Sequence, residues 1–314
     1  MAGGPTPRHP VIMDELRQAC AAVAARARSV TVVGEAIPAS AARLTPDPDP
    51  ASQPPPTQVE REARAAYWLT MDAINFGSGW FPTLRKRGTL SGYNTIASAL
   101  REHFDQGGWT APQLTTLDAA TLGPILGQDP GHDLMGLYAA ALRDLGERVT
   151  AAHDGQFAAV ADAADGSAVA LARRLGSWPC FADRSRYGEL ELAFLKRAQI
   201  AAADLHRAGV ARFADLHALT MFADNLVPHV LRLDGVLAFH PDLVARIDRE
   251  ELITHGSPEE VEIRACAVHA VELLVAAAPD RGLSAAAIDQ LLWQRGQQPR
   301  YKASPRHRSR CTAY

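Results

Sequence analysis

The chain has 314 residues, 47% hydrophobic and 21% charged, with a net charge of −3 at pH 7. That balance fits one large globular domain or two ordinary ones, and it excludes the broad basic field of a protein that tracks nucleic-acid duplexes. No apolar run reaches membrane-spanning length, and the opening MAGGPTPRHPVIMDELRQ lacks the apolar centre of a signal peptide.

In chain order, residues 1–10 read as a short disordered lead-in, and Val11–Arg28 has apolar residues at helical spacing among many alanines. Val30–Gly34 is β-like, and a short helix is expected over Ala36–Leu44. TPDPDPASQPPPT, Thr45–Thr57, forbids helix or central strand and reads as an extended linker or covering loop. The chain therefore divides into 1–57, N-terminal helices plus linker, and 58–314, a helical domain, unless 10–314 is one continuous domain. Helices are expected at Gln58–Ile74, from Ser91–Tyr93 to about Phe104, and at Ala111–Leu126, Asp133–Leu145, Phe157–Asp162 and Ser167–Leu175. Trp178–Arg186 reads as a loop, followed by helices at Leu190–Arg207, Ala211–Leu219 and Val227–Leu237, the last with Pro228 in its first turn. Pro241–Glu251, Pro258–Ala278 and Ser284–Arg295 complete the set, Ser257 with Glu260 forming a capping box. The fold class is mostly α, a multi-helix globule with one minor β-hairpin around Thr83–Leu90.

Four cysteines, Cys20, Cys180, Cys266 and Cys311, form no C-x-x-C pair and read as reduced thiols of a cytoplasmic protein. His217, His229, His240, His255 and His269 are dispersed, with no H-E-x-x-H. Neither a metal nor an organic cofactor is expected, and no phosphate-cradling glycine loop or nucleophile elbow occurs.

Three groups of residues could carry chemistry. In LTMFADNLVPHVLRLDGVL, Leu219–Leu237, Asp224 stands beside Phe222 in an otherwise aliphatic run. A buried carboxylate is costly without a partner or ligand. It can accept two hydrogen bonds from a guanine-like edge while the ring stacks on the base. The structural alternative is Asp224 capping the next helix and Phe222 in the core. In AAAIDQLLWQRGQ, Asp289 and Trp293 are four apart and share a helix face. There a dry carboxylate could stabilise a developing cation or act as nucleophile or base, the alternative being an ordinary surface aspartate. Lys196, Arg197 and the terminal run Arg300, Lys302, Arg306, His307, Arg308 and Arg310 offer cations for a phosphate, the alternative for the run being a solvated tail.

Longer motifs join these residues. AINFGSGWFP (Ala73–Pro82), SGY (Ser91–Tyr93), FADRSRYGELELAFLKRAQI (Phe181–Ile200), the Leu219–Leu237 segment, EEVEIRACAVHAVELL (Glu259–Leu274), LLW (Leu291–Trp293) and RHRSRCTAY (Arg306–Tyr314) together resemble the queuosine 5′-phosphate N-glycosylase/hydrolase family over about residues 60–314. The resemblance implies a fold similar to helix-hairpin-helix DNA glycosylases. It also implies hydrolysis of the N-glycosidic bond of queuosine 5′-phosphate, a small-molecule nucleotide, to free queuine for tRNA modification. It puts Phe222 and Asp224 on the family's base-binding F-A-D motif, Asp289 on its catalytic carboxylate, and Trp293 on an aromatic of the same site. Lys196 falls on a K-R-A-Q lysine assigned to the phosphate, with Arg197 beside it. Members carry a histidine just before the helix matching Gln58–Ile74. This chain has none there, so that role is not transferred. Two other readings stay open: a DNA-repair glycosylase, and a non-catalytic deazaguanine-binding protein. Neither a membrane nor a stable nucleic-acid partner is expected.

Overall fold

A computed structural model describes residues 11–45 and 56–314. The lead-in and most of the proline-rich segment, including the position of the missing histidine, lie outside the described residues. Fifteen α-helices and two short antiparallel strand pairs make up the regular structure among the described residues.

Capping side chains set many helix starts. Thr57 accepts from Glu60 N–H at 3.3 Å while the Glu60 carboxylate accepts from Thr57 N–H at 2.8 Å, opening the Gln58–Ala73 helix. Asp118 Oδ1 takes the Thr121 N–H at 2.8 Å and starts a new helix, Ala119–Ile125, where the apolar period alone predicts one continuous helix from Ala111. Ser257 caps the Pro258–Ala276 helix, but Glu260 reaches Gly256 N–H instead of closing the expected box.

The strand content differs most from the sequence reading. Thr83–Leu90 forms no hairpin. The Gln128 side chain bonds both the Arg85 N–H (2.9 Å) and the Arg85 carbonyl (3.0 Å), filling the place of a partner strand. The local hairpin is Ser185–Tyr187 against Leu190–Leu192, turning through Gly188 at φ 56°. This corrects the loop expected up to Arg186 and delays the next helix to Lys196–Arg207. Val30–Val32 is a strand, but its partner is Leu237–Phe239, at the end of a segment read as helix. That helix stops at Leu233, before Gly235 at φ 77°. Of the expected Ala211–Leu219 helix only a 3₁₀ turn, Leu216–Ala218, is present.

Two apolar cores result. One gathers the helices from Gln58 to Arg207, including Leu69, Tyr138, Leu142 and Phe181. The other gathers the N-terminal helices, the Pro258–Ala276 helix and their neighbours, including Leu16, Val30, Val230, Val268 and Ile288. The Val11–Ala24 helix packs on the Pro258–Ala276 helix, so the segment before residue 45 is part of the second core. Leu219 and Phe222 belong to the first core, Met221 and Ala223 to the second, so this one extended segment stitches the seam between them.

Candidate active site

A cleft of about 550 Å³ opens where the cores meet, within the size range of small-molecule sites. Residues between Trp68 and Tyr93 supply part of its wall, and four further chain segments contribute to the rest. The first is the Lys196–Arg207 helix, whose Lys196, Ile200, Asp204 and Arg207 recur at helical spacing along one face. The second is the seam segment with Phe222 and Asp224, the third the Ala285–Arg295 helix with Asp289 and Trp293. The fourth is the C-terminal stretch with Tyr301, Arg306 and Tyr314.

Asp224 combines its two sequence readings. Its Oδ1 accepts from the N–H groups of Leu226 and Val227, both at 2.9 Å, capping the Leu226–Leu233 helix. Its other oxygen takes no hydrogen bond among the described residues, and the carboxylate lines the cleft. Burial raises its pKa, with Lys196, the two capping N–H groups and Arg306 opposing that rise. Phe222 is 4% exposed and presents its ring to the same cleft.

Asp289 is 5% exposed. Its Oδ1 accepts from Phe222 N–H at 2.9 Å, which fastens the carboxylate directly to the seam segment. Its pKa is raised well above the usual range, first by burial and then by the charge of Asp224, while the Phe222 N–H and Lys196 act the other way. Trp293, one turn on, packs edge-to-face with Tyr93 at 6.0 Å, forming an aromatic wall beside it.

Lys196 lies in the cleft, but its surroundings are acidic. Its Nζ donates to the carbonyl and side-chain oxygens of Asn75, at 2.9 and 3.2 Å. Burial pulls its pKa down to about 8, and Asp224 is the leading charge opposing that. It follows Leu195, held at φ 48°, ψ 36°. A left-handed leucine costs about 1–2 kcal/mol, and Asp183 offsets that strain by accepting Lys196 N–H at 3.0 Å. The same Asp183 oxygen accepts from Arg264 at 2.7 Å, and Arg264 also donates to the Ala223 carbonyl between Phe222 and Asp224. One buried ion pair thus positions both Lys196 and the segment that carries Phe222 and Asp224.

Arg197 requires a correction. It is fully buried, and its Nη1 donates to the carbonyls of Ala73 (2.5 Å) and Cys180. It lies outside the cleft lining and supports the loop behind Asn75, because the helix turns it about 100° away from Lys196.

The terminal basic run is not a solvated tail. Asn225 donates to the His307 carbonyl, Ile253 N–H to the Arg308 carbonyl, and Gly77 N–H to the Tyr314 carbonyl. His307, Ser309 and Tyr314 are buried. A Cβ at Gly79 would sit 2.5 Å from the Ser309 carbonyl, so only glycine lets this segment lie against the loop. Arg306 and Arg308, with Lys86 and Lys302, bring cations to the more exposed part of the cleft. Asp72, Asp204 and Tyr93 escaped the sequence reading. Asp72 had a signal, as the lone acid of the buried stretch Leu69–Ile74.

A mostly helical scaffold thus brings two carboxylates and several aromatic residues to one cleft of a size that suits a small molecule. The queuosine salvage protein family matches residues 55–314, and the chain belongs to that family. It is 37% identical over 269 residues to the queuosine 5′-phosphate N-glycosylase/hydrolase of Sphaerobacter thermophilus, covering 81% of this chain and 82% of that protein. It is 28% identical over 280 residues to the mouse (Mus musculus) protein of the same name, covering 81% and 82%. With the Dictyostelium discoideum protein, again of that name, identity is 39% over 136 residues, 41% of this chain and 42% of that one.

Proposed function

We propose that this chain hydrolyses the N-glycosidic bond of queuosine 5′-phosphate, releasing queuine for reuse in tRNA modification. The observation that carries this reading is the meeting of Asp224 and Asp289 in one aromatic-walled cleft, in a chain whose relatives bear that activity in their names.

In this reading the base lies among Phe222 and Trp293, and the uncapped oxygen of Asp224 accepts hydrogen bonds from its guanine-like edge. Asp289 faces the sugar. As the C1′–N bond breaks, its electron pair leaves with the base and positive charge grows on the sugar. An ionised carboxylate fixed by the Phe222 N–H stabilises that charge without reorganising. Water then adds its oxygen to C1′; one of its protons stays on the new hydroxyl, and the other, passed through solvent, balances the proton that the departing base takes up on nitrogen. A 7-deazaguanine has no nitrogen at position 7, so assistance to the leaving group comes through the pyrimidine ring. Lys196 is the counter-charge that favours ionised Asp224 and Asp289. The phosphate is assigned to the mouth, where Arg306 and Arg308 offer guanidinium groups.

The test is incubation of the purified chain with queuosine 5′-phosphate and mass spectrometry of the products. Stoichiometric queuine and ribose 5-phosphate are expected. Intact nucleotide after many hours, with tight binding of queuine, would favour a non-catalytic binder instead.

A further inference from the structure

Two carboxylates beside the cleft have no task in the reaction just described. Asp72, in the last turn of the Gln58–Ala73 helix, is 1% exposed, and Asp204 is 7% exposed and lines the cleft. Neither oxygen of Asp72 has a hydrogen-bond partner of normal geometry among the described residues. Its charged neighbours are Asp204, Lys196 and Arg207, of which the first repels it. Lys196 Nζ donates to Asn75, and Arg207 pairs with Asp204 Oδ1 at 2.6 Å while remaining 42% exposed. The Asn75 side chain is the hydrogen-bonding group that acts on Asp72, against burial and the charge of Asp204, and a dry carboxylate so weakly partnered is among the costlier features a fold can carry. The charges of both acids act on Tyr93, which lines the cleft with Asp204, while Asp72 lies outside the lining.

The charges around the cleft are also sorted. Asp72, Asp204, Asp224 and Asp289 cluster around Lys196 and Arg207 in the buried part, Arg306 acts on Asp224, and Lys86, Lys302 and Arg308, the last paired with Glu250, stand where the cleft is more exposed. A ligand matched to this arrangement carries an anion at the exposed end and a cation at the buried end.

We infer that Asp204, backed by Asp72, forms a subsite for a cationic arm on the heterocycle, an amine joined to the base by a short carbon link. The inference rests on the proposed function, since queuine is a 7-deazaguanine whose 7-substituent contains a secondary amine that is protonated at neutral pH. Asp204 contacts the ammonium. Asp72 is a positioning residue that adds negative potential behind it. Burial raises both acids, Asp204 to about 6, and the charge of Asp204 adds to the rise of Asp72. The arriving ammonium supplies the charge that Arg207 gives from one side only.

Two free bases of similar size separate this from a merely structural acid pair: 7-aminomethyl-7-deazaguanine, which is cationic, and 7-cyano-7-deazaguanine, which is neutral. Their dissociation constants are measured by titration calorimetry at pH 7.5 with the full chain and with Asp204→Asn and Asp72→Asn. The wild type is expected to prefer the cation by about tenfold or more, the scale of one charge-assisted hydrogen bond. In both variants that preference falls to within about twofold. A wild-type ratio near one overturns the inference, as does a full ratio in both variants. If a variant fails to fold, the wild-type ratio decides. Failure of the wild type to release queuine from queuosine 5′-phosphate would strike the proposed function; release of queuine with no charge preference would strike this subsite alone.

Discussion

Asp289 and Asp224, 65 positions apart in the sequence, line one cleft, and after burial the charge of Asp224 is the main cause raising Asp289. Phe222 ties them together: its N–H holds Asp289, and the residue itself lines the cleft beside Asp224. Like charges held together in a dry site need a counter-charge, and Lys196 opposes the rise of both.

Asp224 has two jobs that substitution can separate. Asp224→Ala removes both the cap and the base contact. It is expected to cost about 1 kcal/mol of stability and roughly tenfold or more in affinity for queuine. Asp224→Asn retains an oxygen for capping, so its melting temperature stays near wild type while its affinity falls. Thermal melts and calorimetry on the pair check this; equal affinity losses accompanied by equal destabilisation would assign Asp224 to the helix alone.

Lys196 sets an alkaline limit. Below about pH 8 it is an ammonium that holds the two acids ionised; above that it is neutral, so kcat/KM is expected to fall as pH rises through about 8. Lys196→Arg keeps its charge and moves that limb upward. The linked stability has the opposite sense. The folded-state pKa lies below the unfolded value near 10.5, so the unfolded chain binds more protons between about 8 and 10.5, and this group makes the fold more stable across that window as pH rises. An alkaline limb unchanged in Lys196→Arg would detach it from Lys196.

The phosphate assignment predicts a sorting of variants. Arg306→Ala lowers kcat/KM for the nucleotide about tenfold more than for the nucleoside, the loss of one charge-assisted contact. Lys196→Met lowers both alike, because it acts on the shared acids. The ratio of the two efficiencies, measured for each variant, is the readout; a ratio altered by Lys196→Met and not by Arg306→Ala would return the phosphate to Lys196.

Asp72 burdens the empty protein. Asp72→Asn removes a buried charge that sits beside the like charge of Asp204, so the melting temperature at pH 7 is expected to rise by about 2–4 °C per kcal/mol relieved. A raised carboxyl pKa costs stability as pH climbs through it, so the gain shrinks toward acid pH. Differential scanning calorimetry at pH 4.5 and 7.5 checks this. A lower melting temperature at both would mean that Asp72 supports the fold.

The helices were largely legible because apolar spacing and capping residues are local, as at Thr57, Ser91, Ser257 and Ser284. Asp224 with Phe222 and Asp289 with Trp293 were legible too, for an acid among aliphatic residues and an i, i+4 pair need no tertiary information. What failed was non-local. Gln128 replaces a partner strand for Thr83–Leu90 from 43 residues away, and Val30–Val32 finds its mate at Leu237–Phe239. Whether Lys196 or Arg197 faces the cleft depends on the left-handed Leu195 and the anchor at Asp183. The basic terminus reads as solvated until Gly77, Gly79 and Ile253 are known to receive it.

The most direct measurement is single-turnover release of queuine from queuosine 5′-phosphate by wild type and Asp289→Asn, with queuine affinity measured on both. The variant is expected to bind queuine nearly as well as wild type and to cleave at least ~10²-fold more slowly, the scale of one lost transition-state charge stabiliser. Cleavage by Asp289→Asn at the wild-type rate would contradict the account at its centre.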